Sequence, residues 1–235
     1  MTEFSIDSNP IQSPIQSSFQ SSILSSQTIS LEEYTNSIYF NGRIDNKTMS
    51  ELINKLKSLE NIIIKKQRKI KRKFNEFKNK NNDLEEDEEQ FDIKIEPKPI
   101  TLYITTLGGY VTDVFAAIDI INRMTIPVNT VCIGMVASAG TLLSLAGSKR
   151  YITENSYMLI HELRSGYWGK LTTMIEQIEN SQKIMDQIKL YYLNKIKMTS
   201  EELNEQLKKD AYWDAKTCLE KGLVDEILTS NIAKK

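Results

Sequence analysis

Two apolar, β-branched runs of strand length, Ile100 to Thr106 (ITLYITT) and Val128 to Met135 (VNTVCIGM), constrain this chain more than any other feature in it. Between them stand the pair Gly108-Gly109, a stretch with Val114, Phe115, Ile118 and Ile121 at helical spacing, and Pro127. Strand, glycine turn, helix and strand make a βαβ unit, which requires a parallel sheet and a right-handed crossover. The fold class that follows is α/β.

The second run breaks at Ala137-Ser138-Ala139-Gly140 into a small apolar segment, Thr141 to Ala146, that reads as a helix. Ser138 therefore stands at a strand-to-helix turn, where a hydroxyl projects from a helix N-terminus with little bulk around it. A further apolar strand, Ser156 to Ile160, delivers His161, the only histidine in the chain. Any imidazole base this protein uses is therefore His161. Lacking a Cβ, Gly109 can turn its N–H inward beside that of Ala139, where the two would donate to an oxyanion. Each residue also has a plainer explanation: a βα turn for the glycines, a helix N-cap for Ser138 and a satisfied core position for His161.

The chain has 235 residues, and ten of the first 30 are serine, which predicts a flexible polar tail over residues 1–35. The remainder, roughly 200 residues, suffices for one α/β domain with its own core, here placed at 36–230. With a net charge of −1, no overall field favours nucleic acid. Cys132 and Cys218 read as buried free thiols, and with one histidine no zinc site is expected; the site is taken to hold no metal. No run approaches the ~18 apolar residues of a membrane span. No secretory leader or arginine-bearing transit peptide is recognisable either, so the expected location is cytoplasmic, with neither membrane nor nucleic acid as partner.

The domain is expected to open with a strand at Ile38–Phe40 and a helix from about Asn46 to Ile63. Residues 65–80 then carry nine Lys or Arg against one Glu, and residues 83–92 seven Asp or Glu with no base. Opposite charge blocks side by side neutralise each other as a solvated hairpin or helix, or extend as a loop, so residues 64–95 are treated as an insertion. After His161 comes a turn-rich aromatic loop, then a long helix over about 170–197, long enough to protrude and pack against another subunit. Thr199 opens a short helix ending near Lys209. Asp214 caps the last helix, Ala215–Lys221, stopped by Gly222, and Leu223 to Leu228 closes the domain as a short edge strand.

The order Gly108-Gly109, Ser138, His161 and Asp210, followed by Lys221-Gly222-Leu223-Val224-Asp225, resembles the proteolytic subunit of the ATP-dependent Clp protease, over roughly residues 36–229 apart from the insertion. The resemblance implies a crotonase-like α/β fold of repeated ββα units with a long protruding handle helix. It implies a serine endopeptidase acting on short peptides and unfolded proteins: Ser138 the nucleophile, His161 the general base, Asp210 the group orienting the imidazole, Gly109 and Ala139 the oxyanion hole. Substrate would lie extended between Tyr110-Val111 and Leu163-Arg164-Ser165. It further implies a homo-oligomeric, heptameric ring, commonly stacked in pairs, and an AAA+ unfoldase partner that uses ATP, with no cofactor in this chain itself. Asp214 is the rival third member of the triad. Two other functions fit the same sequence: a non-catalytic ring subunit or binding module, and a crotonase-type acyl-CoA enzyme sharing the glycine oxyanion hole. The chain departs from the family pattern at Thr106-Leu107 and Glu162-Leu163, where prolines are usual, and at Lys208-Lys209.

Overall fold

A computed structural model of the chain describes residues 36–80 and 97–229. The chain divides into two units, Met1–Thr35 and Asn36–Lys235, of which the first lies outside the described residues. The serine-rich tail and the acidic block at 83–92 therefore fall outside them.

The two β-branched runs, Ile100 to Thr106 and Val128 to Met135, are central strands. The described residues form a sheet of strands β1 (Ser37–Asn41), β2 (Ile100–Thr106), β3 (Val128–Ala137) and β4 (Arg150–Thr153), all parallel, with a fifth, β7 (Glu226–Leu228), parallel at the β4 edge. Two short strands lie off this path: β5 (Tyr157–Leu159) runs parallel to the last residues of β3, and β6 (Tyr212–Asp214) is antiparallel to β5. β3 thus changes partner along its length, pairing with β4 through Thr130–Cys132 and with β5 through Met135–Ala137. Gly134, at φ 63°, sits between the two stretches, where the β2–β3 register also shifts.

Helices α1 (Asn46–Lys80), α2 (Val111–Ile121) and α3 (Ala139–Ser144) pack in succession against one another and onto β1, β2 and β3. Met49, Leu52 and Leu56 of α1 and Val114, Ile118 and Ile121 of α2 bury one face of each helix against Leu102, Ile104 and their neighbours. At about 25 cal/mol per Å² of apolar area, this burial is the main force for compaction. Three further helices, α4 (Leu171–Leu193), α5 (Ser200–Leu207) and α6 (Ala215–Glu220), complete the order. No helix among the described residues is long and apolar enough to cross a membrane.

Helix α1 does not stop near Ile63 but continues to Lys80. Lysine, arginine, glutamine and glutamate are strong helix formers, and no Gly or Pro interrupts residues 64–80, so the basic half of the charged insertion propagates the helix. β4 and β6 are strands that periodicity does not reveal, being four and three residues long. The capping expectations hold. Thr199 and Glu202 form a reciprocal capping box at α5, and Asp214 Oδ1 accepts from Thr217 N at 2.8 Å to cap α6.

Candidate active site

The turn that carries the candidate nucleophile, Ser138, is built where β3 ends. Ser138 has φ 56° and ψ −128°, the one positive φ of a non-glycine among the described residues. Such a conformation is sparsely populated and persists only where the surroundings fix it. Here both backbone ends are held: Ser138 N donates to Leu159 O of β5 at 2.8 Å, and Ser138 O accepts from Thr141 N at 3.0 Å as α3 begins. The turn therefore presents the hydroxyl at the C-terminal edge of the sheet, where open α/β folds place their ligands.

The glycine turn is fastened next to it. Thr106 Oγ1 donates to Gly42 O at 2.6 Å and accepts from Gly108 N at 3.0 Å, while Ile44 N donates to Gly108 O and Tyr110 N to Ile44 O, both at 2.9 Å. With its two neighbours bonded to Ile44, Gly109 turns its own N–H the other way. Neither glycine tolerates a side chain. A Cβ on Gly108 would lie 2.6 Å from Ser138 Cβ and 3.1 Å from Ala139 N, and one on Gly109 would lie 1.9 Å from Ile44 O. The close approach of Gly108 brings the two candidate oxyanion donors, Gly109 N–H and Ala139 N–H, onto adjoining pieces of backbone. With Leu107 rather than a proline before the glycines, this turn is held by the Thr106 hydroxyl. A cleft of about 570 Å³ opens along it, lined by Arg43, Leu107 and Met135 among others.

Strand pairing bears on the other two candidates. Ala137 is aligned with Leu159, so His161, two residues on, leaves the sheet beside Ser138. In the antiparallel pair, Tyr157, Met158 and Leu159 face Asp214, Trp213 and Tyr212. That ladder ends at Leu159 and Tyr212, two residues short of His161 and of Asp210, and the next contact between the two segments, Glu162 N to Leu207 O at 2.8 Å, is out of its register. The rival Asp214 sits at the far end of β6, opposite Tyr157, with its carboxylate committed to the α6 cap.

The side-chain hydrogen bonds run differently. His161 Nδ1 lies 2.6 Å from Glu162 O. A carbonyl can only accept, so in this contact Nδ1 carries the proton, which in the neutral imidazole leaves the lone pair on Nε2, the tautomer a general base needs. The Asp210 carboxylate instead pairs with Arg164 Nη2, both groups being exposed. Among the described residues, no hydrogen bond joins Ser138, His161 and Asp210 to one another. Arg164 as the partner of Asp210 is absent from the sequence argument, since residues 46 apart carry no local signal of contact. Of the expected substrate strands, Tyr110 is exposed with Arg43 stacked over its ring at 5.2 Å, and Leu163 N lies 3.3 Å from Met185 Sδ. Val111 begins α2, and Ser165 lies in the exposed loop before α4. Among the described residues no group of three or more His, Cys, Asp or Glu could hold a metal ion.

The Clp protease family model matches residues 89–231, more than half of the chain, and spans the glycine turn, the Ser138 turn, His161 and Asp210. The chain belongs to the Clp protease family. Its mixed α/β structure on a parallel sheet fits that membership, and peptide-bond hydrolysis is the class of activity a Clp protease carries. The matched span begins after α1, so the basic helix stands outside it.

Proposed function

We propose that this Clp protease family member is a serine endopeptidase subunit in which Ser138, His161 and Asp210 act together. The observation that carries the reading is that β5 pairs with both β3 and β6, which leaves Ser138, His161 and Asp210 one or two residues beyond the ends of adjoining strands. Ser138 Oγ attacks the scissile carbonyl while His161 Nε2 takes its proton. Negative charge on the carbonyl oxygen is met by Gly109 N–H and Ala139 N–H. On collapse the imidazolium returns the proton to the leaving amine, and water releases the acyl group by the same steps in reverse. Asp210 accepts from Nδ1–H and stabilises the imidazolium, which requires it to leave Arg164 and the imidazole to leave Glu162 O. Peptide lying extended along Tyr110-Val111 and Leu163–Ser165 would put its carbonyl over this site. A homo-oligomeric ring, heptameric and stacked in pairs, with an AAA+ unfoldase partner feeding unfolded chains to it, completes the proposal.

One observation favours a second reading, the non-catalytic ring subunit: the Arg164–Asp210 ion pair diverts the third member of the triad. A fluorophosphonate probe decides between the two. Ser138 Oγ displaces fluoride from phosphorus only if His161 accepts the proton. The assembled chain is expected to label at Ser138, with labelling abolished by Ser138→Ala and reduced by orders of magnitude in Asp210→Asn but kept in Asp214→Ser. An assembled ring that takes no label selects the second reading.

A further inference from the structure

Beneath the nucleophile turn lies a buried hydroxyl pair that the hydrolytic steps leave unused. Thr141 of α3 is fully buried, and its hydroxyl donates to Ser138 O at 2.7 Å. The Tyr192 hydroxyl, from the last turn of α4, contacts Thr141 Oγ1. Thr141 has a single hydroxyl proton and a carbonyl has none, so that proton belongs to the Ser138 contact and Tyr192 must donate to Thr141. Tyr192 is 2% exposed, and burial raises its phenol above the usual range, which keeps the donating proton in place. The resulting chain has one direction only, from Tyr192 through Thr141 to the Ser138 carbonyl.

That carbonyl belongs to the same peptide unit as Ala139 N–H. Peptide bonds in the described residues are trans, so the C=O and N–H of this unit point in opposite directions. Fixing the carbonyl therefore aims the N–H. The unit has particular need of fixing, because Ser138 occupies a conformation to which the chain would not settle by itself.

We propose that Tyr192 and Thr141 are positioning residues for the oxyanion hole, holding the Ser138–Ala139 peptide plane so that Ala139 N–H faces the developing oxyanion. The inference rests on the peptidase reading above. Neither side chain touches substrate or the reacting atoms, so both act through the peptide unit. Their effect falls on kcat and on the rate of phosphonylation, where a tetrahedral P–O oxygen occupies the same hole, and not on KM.

The test compares the assembled full chain with Tyr192→Phe, Thr141→Val and Thr141→Ser, reading the second-order rate of fluorophosphonate labelling, kcat and KM on a short peptide, and Tm. Tyr192→Phe and Thr141→Val should each lower kcat and the labelling rate about 10-fold with KM nearly unchanged, a fraction of what loss of a whole oxyanion donor costs. Thr141→Ser, which keeps the hydroxyl, should stay close to wild type. The double variant Tyr192→Phe/Thr141→Val should be no slower than Thr141→Val, because both cut one chain. Should Tyr192→Phe fail to fold, the near-isosteric Thr141→Val against Thr141→Ser decides alone. A labelled wild type with both hydroxyl-deleting variants equally fast overturns the inference while leaving the peptidase reading standing, as does Thr141→Ser proving as slow as Thr141→Val. A wild type that takes no label overturns both.

Discussion

Gly109 has φ 153°, and a Cβ added to it would fall 1.9 Å from Ile44 O, a backbone atom that cannot move aside without breaking the bridge between the two segments. Gly109→Ala should therefore cost about 3 kcal/mol of stability, read as a lowered urea midpoint. A midpoint equal to wild type would show that the turn is looser than its contacts imply. The cysteines make the opposite case, of residues that chemistry leaves idle. Cys132 and Cys218 are buried, and desolvation pushes both thiols up to about 12. With the thiolate suppressed, neither should react with iodoacetamide in the native protein, and both should react after denaturation, by mass spectrometry. Native alkylation at either position would reopen the question of a thiol nucleophile. Glycine pairs and buried thiols were both legible in the sequence, since small size and apolar neighbours are local properties. The Thr106 staple, the Tyr192–Thr141 pair and the Arg164–Asp210 pair were not, because each joins residues that only the fold brings together.

Among the elements, the short strand β4 is paired with β3 and β7 and is further tied to its surroundings by one side chain. Arg150 Nη1 donates to Lys195 O at 3.0 Å and Gly222 O at 2.9 Å, and its guanidinium forks onto Asp225. The ends of α4 and α6 and the start of β7 are thereby tied to β4. Asp225 consequently holds its carboxyl below the usual range, chiefly through the hydrogen bond from the Arg150 side chain. The unfolded chain binds this proton more readily than the folded one. The contribution is therefore complete above the ordinary aspartate value of about 3.9 and is lost as pH falls through the lower folded value. Urea unfolding between about pH 5 and about pH 2 should show wild type losing more stability than Asp225→Asn. Equal losses in the two proteins would remove Asp225 from the acid response. At this scale the sequence showed every element long enough to display a period. It failed at β4 and β6, too short to show one, and at the end of α1, where helix propensity outlasts the apolar face.

At the scale of the whole molecule, the first half of α4 leaves an apolar stripe exposed. Leu171, Ile175 and Ile178 are 73%, 48% and 60% exposed and fall on one helical stripe, while Met185, Ile188 and Tyr192 farther along are buried. An apolar stripe left in water on one half of a helix fits contact with another copy. In the proposed ring, the pair of substitutions Leu171→Ser and Ile178→Ser should lower the native mass without changing the helix content of the chain by circular dichroism. An unchanged mass would remove this stripe from the contacts of the proposed ring. By itself the sequence determined the α/β class, the two central strands and the helix caps, and it named Gly109, Ser138 and His161 as candidates, because period, small side chains and a unique histidine are properties of neighbours in the chain; Asp210 was named only through the resemblance to a family. Tertiary structure alone decided that β5 and β6 lie beside the end of β3, that Ser138 takes a left-handed φ, and that the hydrogen bonds of His161 and Asp210 run to Glu162 and Arg164. Those outcomes depend on the registers of strands up to some 80 residues apart and on competition among polar groups for partners, which linear order does not encode.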